Sequence, residues 1–196
     1  RRFRGGGAVG LLPVFSNVGE PAQCLPGEQR ASQLAIFGSE EWRRLAVSRD
    51  LDALAAACRA LAIDQIVDIG PGSIPHPDLP DIQWIVTGPL PAKEVSRWLA
   101  RCRAGFSSYP SHCFGKSGII AAYMAHGLPL VVPRHSIRRE VDTLELGSHY
   151  LVAEEIGNDG ICVAAKMVTE CFRWHQGHRI DHQVSKFADQ LNAAYD

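Results

Sequence analysis

Five short apolar runs rich in β-favouring residues punctuate the chain: Leu34–Phe37, Gln65–Ile69, Ile82–Thr87, Gly105–Ser108 and Leu128–Val132. Each meets Gly or Pro within two residues of its end, and each is nearly continuous rather than alternating, the pattern of strands buried on both faces. Stretches of helical period lie between and after them. Leu51, Leu54, Ala55, Cys58 and Leu61 form one i, i+3, i+4, i+7 stripe, and Val95, Trp98, Leu99 and Cys102 form another. The tail adds Ala164, Met167, Val168, Cys171 and Phe172, then Val184, Phe187, Ala188 and Leu191. Such stripes predict amphipathic helices buried against a sheet. The alternation as a whole predicts an α/β fold, a three-layer sandwich with a mostly parallel sheet of five or six strands. One link departs from it: Pro71, Pro75, Pro77 and Pro80 exclude a crossover helix between the second and third runs and predict an extended loop.

The 196 residues suffice for one large domain with a substantial core, and leave no room for a complete two-domain enzyme. Hydrophobic residues make up 46% and charged residues 21%, which excludes a disordered or fibrous chain. Twenty Lys and Arg against 21 Asp and Glu give a net charge of −1, so no global field draws in nucleic acid or an anionic membrane; an anion site must be local. No apolar run approaches the roughly 20 residues that span a bilayer, and no apolar stretch of signal-peptide type backs the basic start, Arg1 to Gly7. A cytoplasmic protein is the expectation. The six cysteines, Cys24, Cys58, Cys102, Cys113, Cys162 and Cys171, show no C-x-x-C pair or zinc spacing and are expected to be reduced and mostly buried thiols. His112 beside Cys113 lacks a spaced partner that would make it a metal or nucleophile site.

Chemistry concentrates between Gly105 and Pro129. A strand ends near Ser108, a loop with Tyr109, Pro110 and His112 follows, and Gly115-Lys116-Ser117-Gly118 opens a helix whose Ile119, Ile120, Tyr123 and Met124 are expected to face the sheet. Backbone N–H groups at the helix start, its positive end and the Lys116 ammonium would then converge beyond the carboxyl end of a strand, where open α/β sheets bind ligands. A Walker A loop is excluded, because it needs glycine at position 110, which is Pro110. A dinucleotide fingerprint is excluded as well: Gly38-Ser39-Glu40, not G-x-G-x-x-G, follows the first run.

The stretch Phe114 to Pro129, ending in Ala122-Tyr123-Met124-Ala125-His126-Gly127-Leu128-Pro129, resembles the signature helix of GT-B glycosyltransferases, with the A-x-G-x-P close of their carboxy-terminal Rossmann-like domain. Pro13 to Glu20 and Ile66 to Pro71 are similar to segments of bacterial members in which KSG opens the same helix. The resemblance runs in order along nearly the whole chain. It implies one half of a GT-B fold that binds a nucleoside diphosphate sugar, no cofactor, and no metal, since GT-B enzymes generally use helix dipoles and basic residues. Lys116 is then the catalytic residue, with the amides of Ser117 and Gly118 beside it on the leaving diphosphate. Gly115, Gly38-Ser39, Ser16-Asn17 and Arg134 are further donor-site candidates, and Gly88-Pro89-Leu90 falls where the family places the nucleobase. Many retaining members carry two glutamates at the positions of Phe114 and Ala122, so stereochemistry does not carry over.

Residues 1–30 read as an interdomain connection or a remnant of a preceding domain, and 31–196 as the Rossmann-like nucleotide-sugar-binding domain. The implied partners are the donor and a missing amino-terminal acceptor domain, without which the chain should bind but not catalyse. The competing reading is a non-catalytic nucleotide- or phosphate-binding α/β module built from the same loops. Arg43, Arg44, Arg138 and Arg139 are further cations, with Arg43 expected on a solvated face where its removal is nearly silent.

Overall fold

The computed structural model describes residues 14–138 and 143–195; Arg1 to Gly7, Pro13 and Arg139 lie outside the described residues. Six strands, β1 (Ala31–Phe37), β2 (Gln65–Ile69), β3 (Gln83–Gly88), β4 (Cys102–Phe106), β5 (Leu130–Val132) and β6 (Tyr150–Val152), form one sheet in the order β3-β2-β1-β4-β5-β6. Every pairing is parallel. Consecutive residues Leu34, Ala35 and Ile36 of β1 are buried, as are Ile66 and Val67 of β2. Both sheet faces are therefore covered, which is the expected three-layer sandwich.

The helices are α1 (Glu40–Ser48), α2 (Leu51–Ala60), α3 (Ala92–Arg101), α4 (Gly118–Ala125), α5 (Gly160–Gln176) and α6 (Ile180–Tyr195). No helix joins β2 to β3, and the proline-containing link is extended as expected. In α4 every residue from Ile120 to Ala125 is buried, the mark of a helix enclosed on all sides, here packed against β5 and α5. Its approach to the sheet is set by Gly105, where an added Cβ would lie 2.6 Å from the Tyr123 ring. The Tyr123 hydroxyl sits over the join of β1 and β4: it accepts from the Phe37 amide at 3.2 Å and lies 3.2 Å from the Ala35 and Phe106 carbonyls.

Three expectations need correction. β6 and α1 escape the hydrophobic pattern, β6 because it is only three residues long. Of the six thiols, Cys58, Cys102 and Cys171 are buried, but Cys24 and Cys113 are half-buried and Cys162 is exposed. The apolar stripe of α6 is not core: Val184, Phe187 and Leu191 are exposed, because among the described residues nothing is seated on that face. No helix of the described residues is long and apolar enough to cross a membrane.

Buried histidine gives the fold a pH dependence. His126 is fully buried, its Nδ1 2.7 Å from the Ala122 carbonyl and its Nε2 2.7 Å from Ser96 Oγ. Nδ1–H thus donates to the carbonyl and Nε2 accepts the Ser96 proton, which is the neutral ring. Burial pushes its pKa down to about 4, and burial likewise takes His175 to about 4. The unfolded ring protonates near pH 6.5, so between there and pH 4 the unfolded chain takes up protons that the folded one refuses. Stability is therefore retained above the unfolded pKa and lost as pH falls through this window, by up to about 3 kcal/mol for His126. Urea unfolding between pH 7 and 4.5 should show this decline, and His126→Gln should flatten part of it; a profile unchanged by that substitution would mean the ring protonates within the fold.

Candidate functional site

The residues from Ser111 to Lys116 form a 3-10 turn that delivers the chain to α4. Ser117 is the N-cap, as its position predicts, and its Oγ accepts from the Ile120 amide at 3.3 Å. The Ser117 amide is donated to the Phe114 carbonyl at 3.2 Å, so it is not among the groups offered to a ligand. The α-helix has no internal acceptor for the amides of its first turn, Gly118 and Ile119. Lys116 is exposed immediately before them. Cation, helix start and two amides thus occupy one corner, a favourable place for an anion.

Opposite that corner lies the end of β1. The cleft between them, about 460 Å³ in volume, is lined by Asn17, Phe37, Gly38, Ser39, Trp42, Pro71, Tyr109, Lys116, Ser117, Gly118 and Ile119. It stands beyond the carboxyl ends of β1 and β4, where the strand order turns, which is the ligand position of doubly wound sheets. Gly38 lets the two walls meet: its φ is +129°, and an added Cβ would lie 2.4 Å from Ile119 Cδ1. An apolar hollow of about 300 Å³ at the other edge, lined by Ala55, Cys58, Leu79 and Ile82 among others, precedes β2 and β3 and has no helix start in it.

The β1 wall is held by Arg43, which corrects the expectation of a solvated face. The side chain is 1% exposed. Its Nη1 pairs with the buried Asp68 carboxylate of β2, its Nε donates to the Gly38 carbonyl at 3.0 Å, and its Nη2 donates to the Pro71 carbonyl. His76 Nε2 meets the second Asp68 oxygen at 3.0 Å. One guanidinium therefore fixes both the Gly38-Ser39 turn and the Pro71 wall. The inward stripe of α1, Arg43, Ala46 and Val47, continues to Asp50; it begins and ends on charged residues, which is why hydrophobic periodicity does not show it.

No protein-family model matches the sequence, and no curated protein matches it. Solved structures do share its backbone. Sucrose-phosphate synthase from Thermosynechococcus elongatus aligns over 87% of this chain and 47% of its own, at 16% identity and a TM-score of 0.53. A TarM mutant from S. aureus, solved with Fondaparinux, alpha-GlcNAc-glycerol and UDP, aligns over 93% of this chain and 38% of its own, at 12% identity and a TM-score of 0.51. This is the Rossmann-like fold of GT-B glycosyltransferases. The chain spans less than half the length of either structure.

Within this Rossmann-like domain the structure gathers Asn17, Gly38, Ser39, Lys116, Ser117 and Gly118 of the sequence candidates into one cleft. Gly115 lies just behind, its carbonyl accepting from the Val14 amide at 3.1 Å. Ser16 is buried and spends its hydroxyl on the Gly19 carbonyl at 2.7 Å. Gly88-Pro89-Leu90 follows edge strand β3 on the same side of the sheet but two strands from β1, outside the cleft lining. Arg134 is outside as well, pairing with Glu155 at 3.3 Å. Arg44 turns outward to Glu40. The sequence candidates omit Trp42, Tyr109, Pro71 and Ile119 of the lining. They also pass over Asp50-Leu51-Asp52, which has D-x-D spacing. Its Asp50 carboxylate accepts both Arg49 donors at 2.9 Å and lies 3.3 Å from His135 Nε2, a pairing that engages it within the fold.

Breaking the Arg43 pair leaves a buried carboxylate uncompensated. Arg43→Ala should cost about 3 to 5 kcal/mol, whereas Arg97→Ala, which removes an exposed partner of Glu94, should change stability by less than about 0.5 kcal/mol. Arg43→Met with Asp68→Leu should recover a large part of the loss, because no unpaired charge remains. Urea unfolding at neutral pH ranks the four proteins; equal stability of Arg43→Ala and the parent would contradict the burial of the pair.

Proposed function

We propose that this chain is the donor-binding half of a glycosyltransferase that moves a sugar from a nucleoside diphosphate sugar to a hydroxyl acceptor. The reading rests on one observation: Lys116 and the start of α4 line a cleft at the turn of strand order in a GT-B-type sheet. In transfer the bond from the anomeric carbon to the diphosphate oxygen breaks, and negative charge grows on the leaving group. Lys116 and the Gly118 and Ile119 amides, fixed before the reaction, meet that charge without reorganising. These groups neutralise the diphosphate with no divalent cation. The acceptor, and the base that takes its proton, belong to an amino-terminal companion domain, to which residues 1–30 are the connection or of which they are a remnant. Six free thiols suit a reducing cytoplasm.

Calorimetric titration of the chain with uridine, guanosine and adenosine diphosphates tests this. A charge-assisted contact contributes about 1.5 to 3 kcal/mol, so Lys116→Ala should weaken the preferred nucleotide by roughly ten- to a hundredfold. Ser117→Ala should cost about 1 kcal/mol of stability through the lost cap, and EDTA should leave affinity unchanged. If Lys116→Ala binds as the parent does, the anion site is elsewhere. If the parent binds no nucleotide, the donor-binding reading fails.

A further inference from the structure

We infer that the Trp42 and Tyr109 rings form a platform for the hexosyl ring of the donor, and so discriminate a nucleotide sugar from a bare nucleotide. The inference rests on the donor-binding reading and names the part of the donor that these residues meet. Trp42 comes from α1 and Tyr109 from the loop after β4, two elements that meet only because β1 and β4 are neighbours. Their ring centroids are 4.4 Å apart and the planes are tilted by 45°. Both line the same cleft as Lys116, and both are only half-buried, so ring surface remains open to a ligand. No hydrogen bond or ion pair among the described residues engages the Trp42 side chain.

The chemistry of the surrounding wall selects the occupant. A pyranose has one face of C–H bonds and a rim of hydroxyls. The C–H face suits the electron-rich face of an aromatic ring, and the rim needs side chains that both donate and accept. Asn17 supplies an amide at this cleft and Ser39 a hydroxyl that makes no capping bond to α1, although it occupies the N-cap position. Trp42, Asn17 and Ser39 thus offer an apolar floor with a polar margin, next to a cation for the adjoining phosphate. Positioning of the ring by Trp42 sets its anomeric carbon beside the leaving group that Lys116 holds.

The test compares each nucleoside diphosphate with its glucose conjugate by calorimetry, on the parent, Trp42→Ala and Trp42→Phe. The parent should bind the conjugate more tightly than a bare contact at Lys116 allows, by about three- to tenfold over the nucleotide itself. Trp42→Ala should erase that increment while leaving the bare nucleotide unchanged, and Trp42→Phe should restore most of it. Thermal unfolding of the variants checks that the fold is retained. Equal weakening of nucleotide and conjugate in Trp42→Ala would overturn the inference and assign the platform to the nucleobase. A parent with no preference for the conjugate would overturn it too, while the sensitivity of bare nucleotide to Lys116→Ala would still uphold the donor-binding reading. Absence of any nucleotide binding would overturn both.

Discussion

The buried ion pair of Arg43 with Asp68 is the constraint on which the site depends. A guanidinium withdrawn from water must find an acceptor for nearly every N–H, and Arg43 finds them in Asp68, Gly38 and Pro71. Those acceptors belong to β2, to the turn after β1 and to the extended link after β2. Where the β1–β2 pairing ends at Phe37 and Ile69, this one side chain continues the tie, holding the turn after β1 and the start of the extended link to the sheet at Asp68. The missing crossover helix makes this necessary, since a proline-rich link has few backbone hydrogen bonds of its own.

A second buried cation performs a related task at the other end of the domain. Arg30 is 5% exposed and donates to the Cys102 carbonyl at 3.0 Å and the His126 carbonyl at 2.7 Å. Cys102 and His126 are the C-caps of α3 and α4, so the charge sits where two helix dipoles are negative. It faces no carboxylate among the described residues. Burial lowers its pKa, yet from so high an ordinary value that the cation persists at neutral pH.

The fold was legible because buried parallel strands announce themselves as apolar runs, and four of the six did so; β4, Cys102–Phe106, begins three residues ahead of the expected run Gly105–Ser108, on a cysteine that reads as the end of the α3 stripe. The anion corner was legible for a similar reason: Gly115-Lys116-Ser117-Gly118 marks a helix start whatever surrounds it. The rest depended on contacts distant in sequence. Nothing in Glu40-Glu41-Trp42-Arg43-Arg44 tells which arginine is buried, because that is settled by Asp68 on another strand. Trp42 and Tyr109 carry no signal until the strand order makes them neighbours. The β3 loop was placed on the correct edge of the sheet, but strand order puts it two strands from β1.

The strand order also divides the sheet into two stretches of consecutive chain, β1 to β3 and β4 to β6, joined by a single seam. Within each half, successive strands are neighbours; across the seam Ala31 pairs with Cys102, a contact between residues far apart in sequence. Closing it is the costly long-range step in assembling this topology. The cleft straddles the upper end of that seam, with Gly38 and Trp42 on one half and Tyr109 and Lys116 on the other. A molecule lodged there spans the joint and stabilises its closed form by mass action. Amide hydrogens along β1 and β4 should therefore report ligand binding through slower exchange, even at residues the ligand never touches.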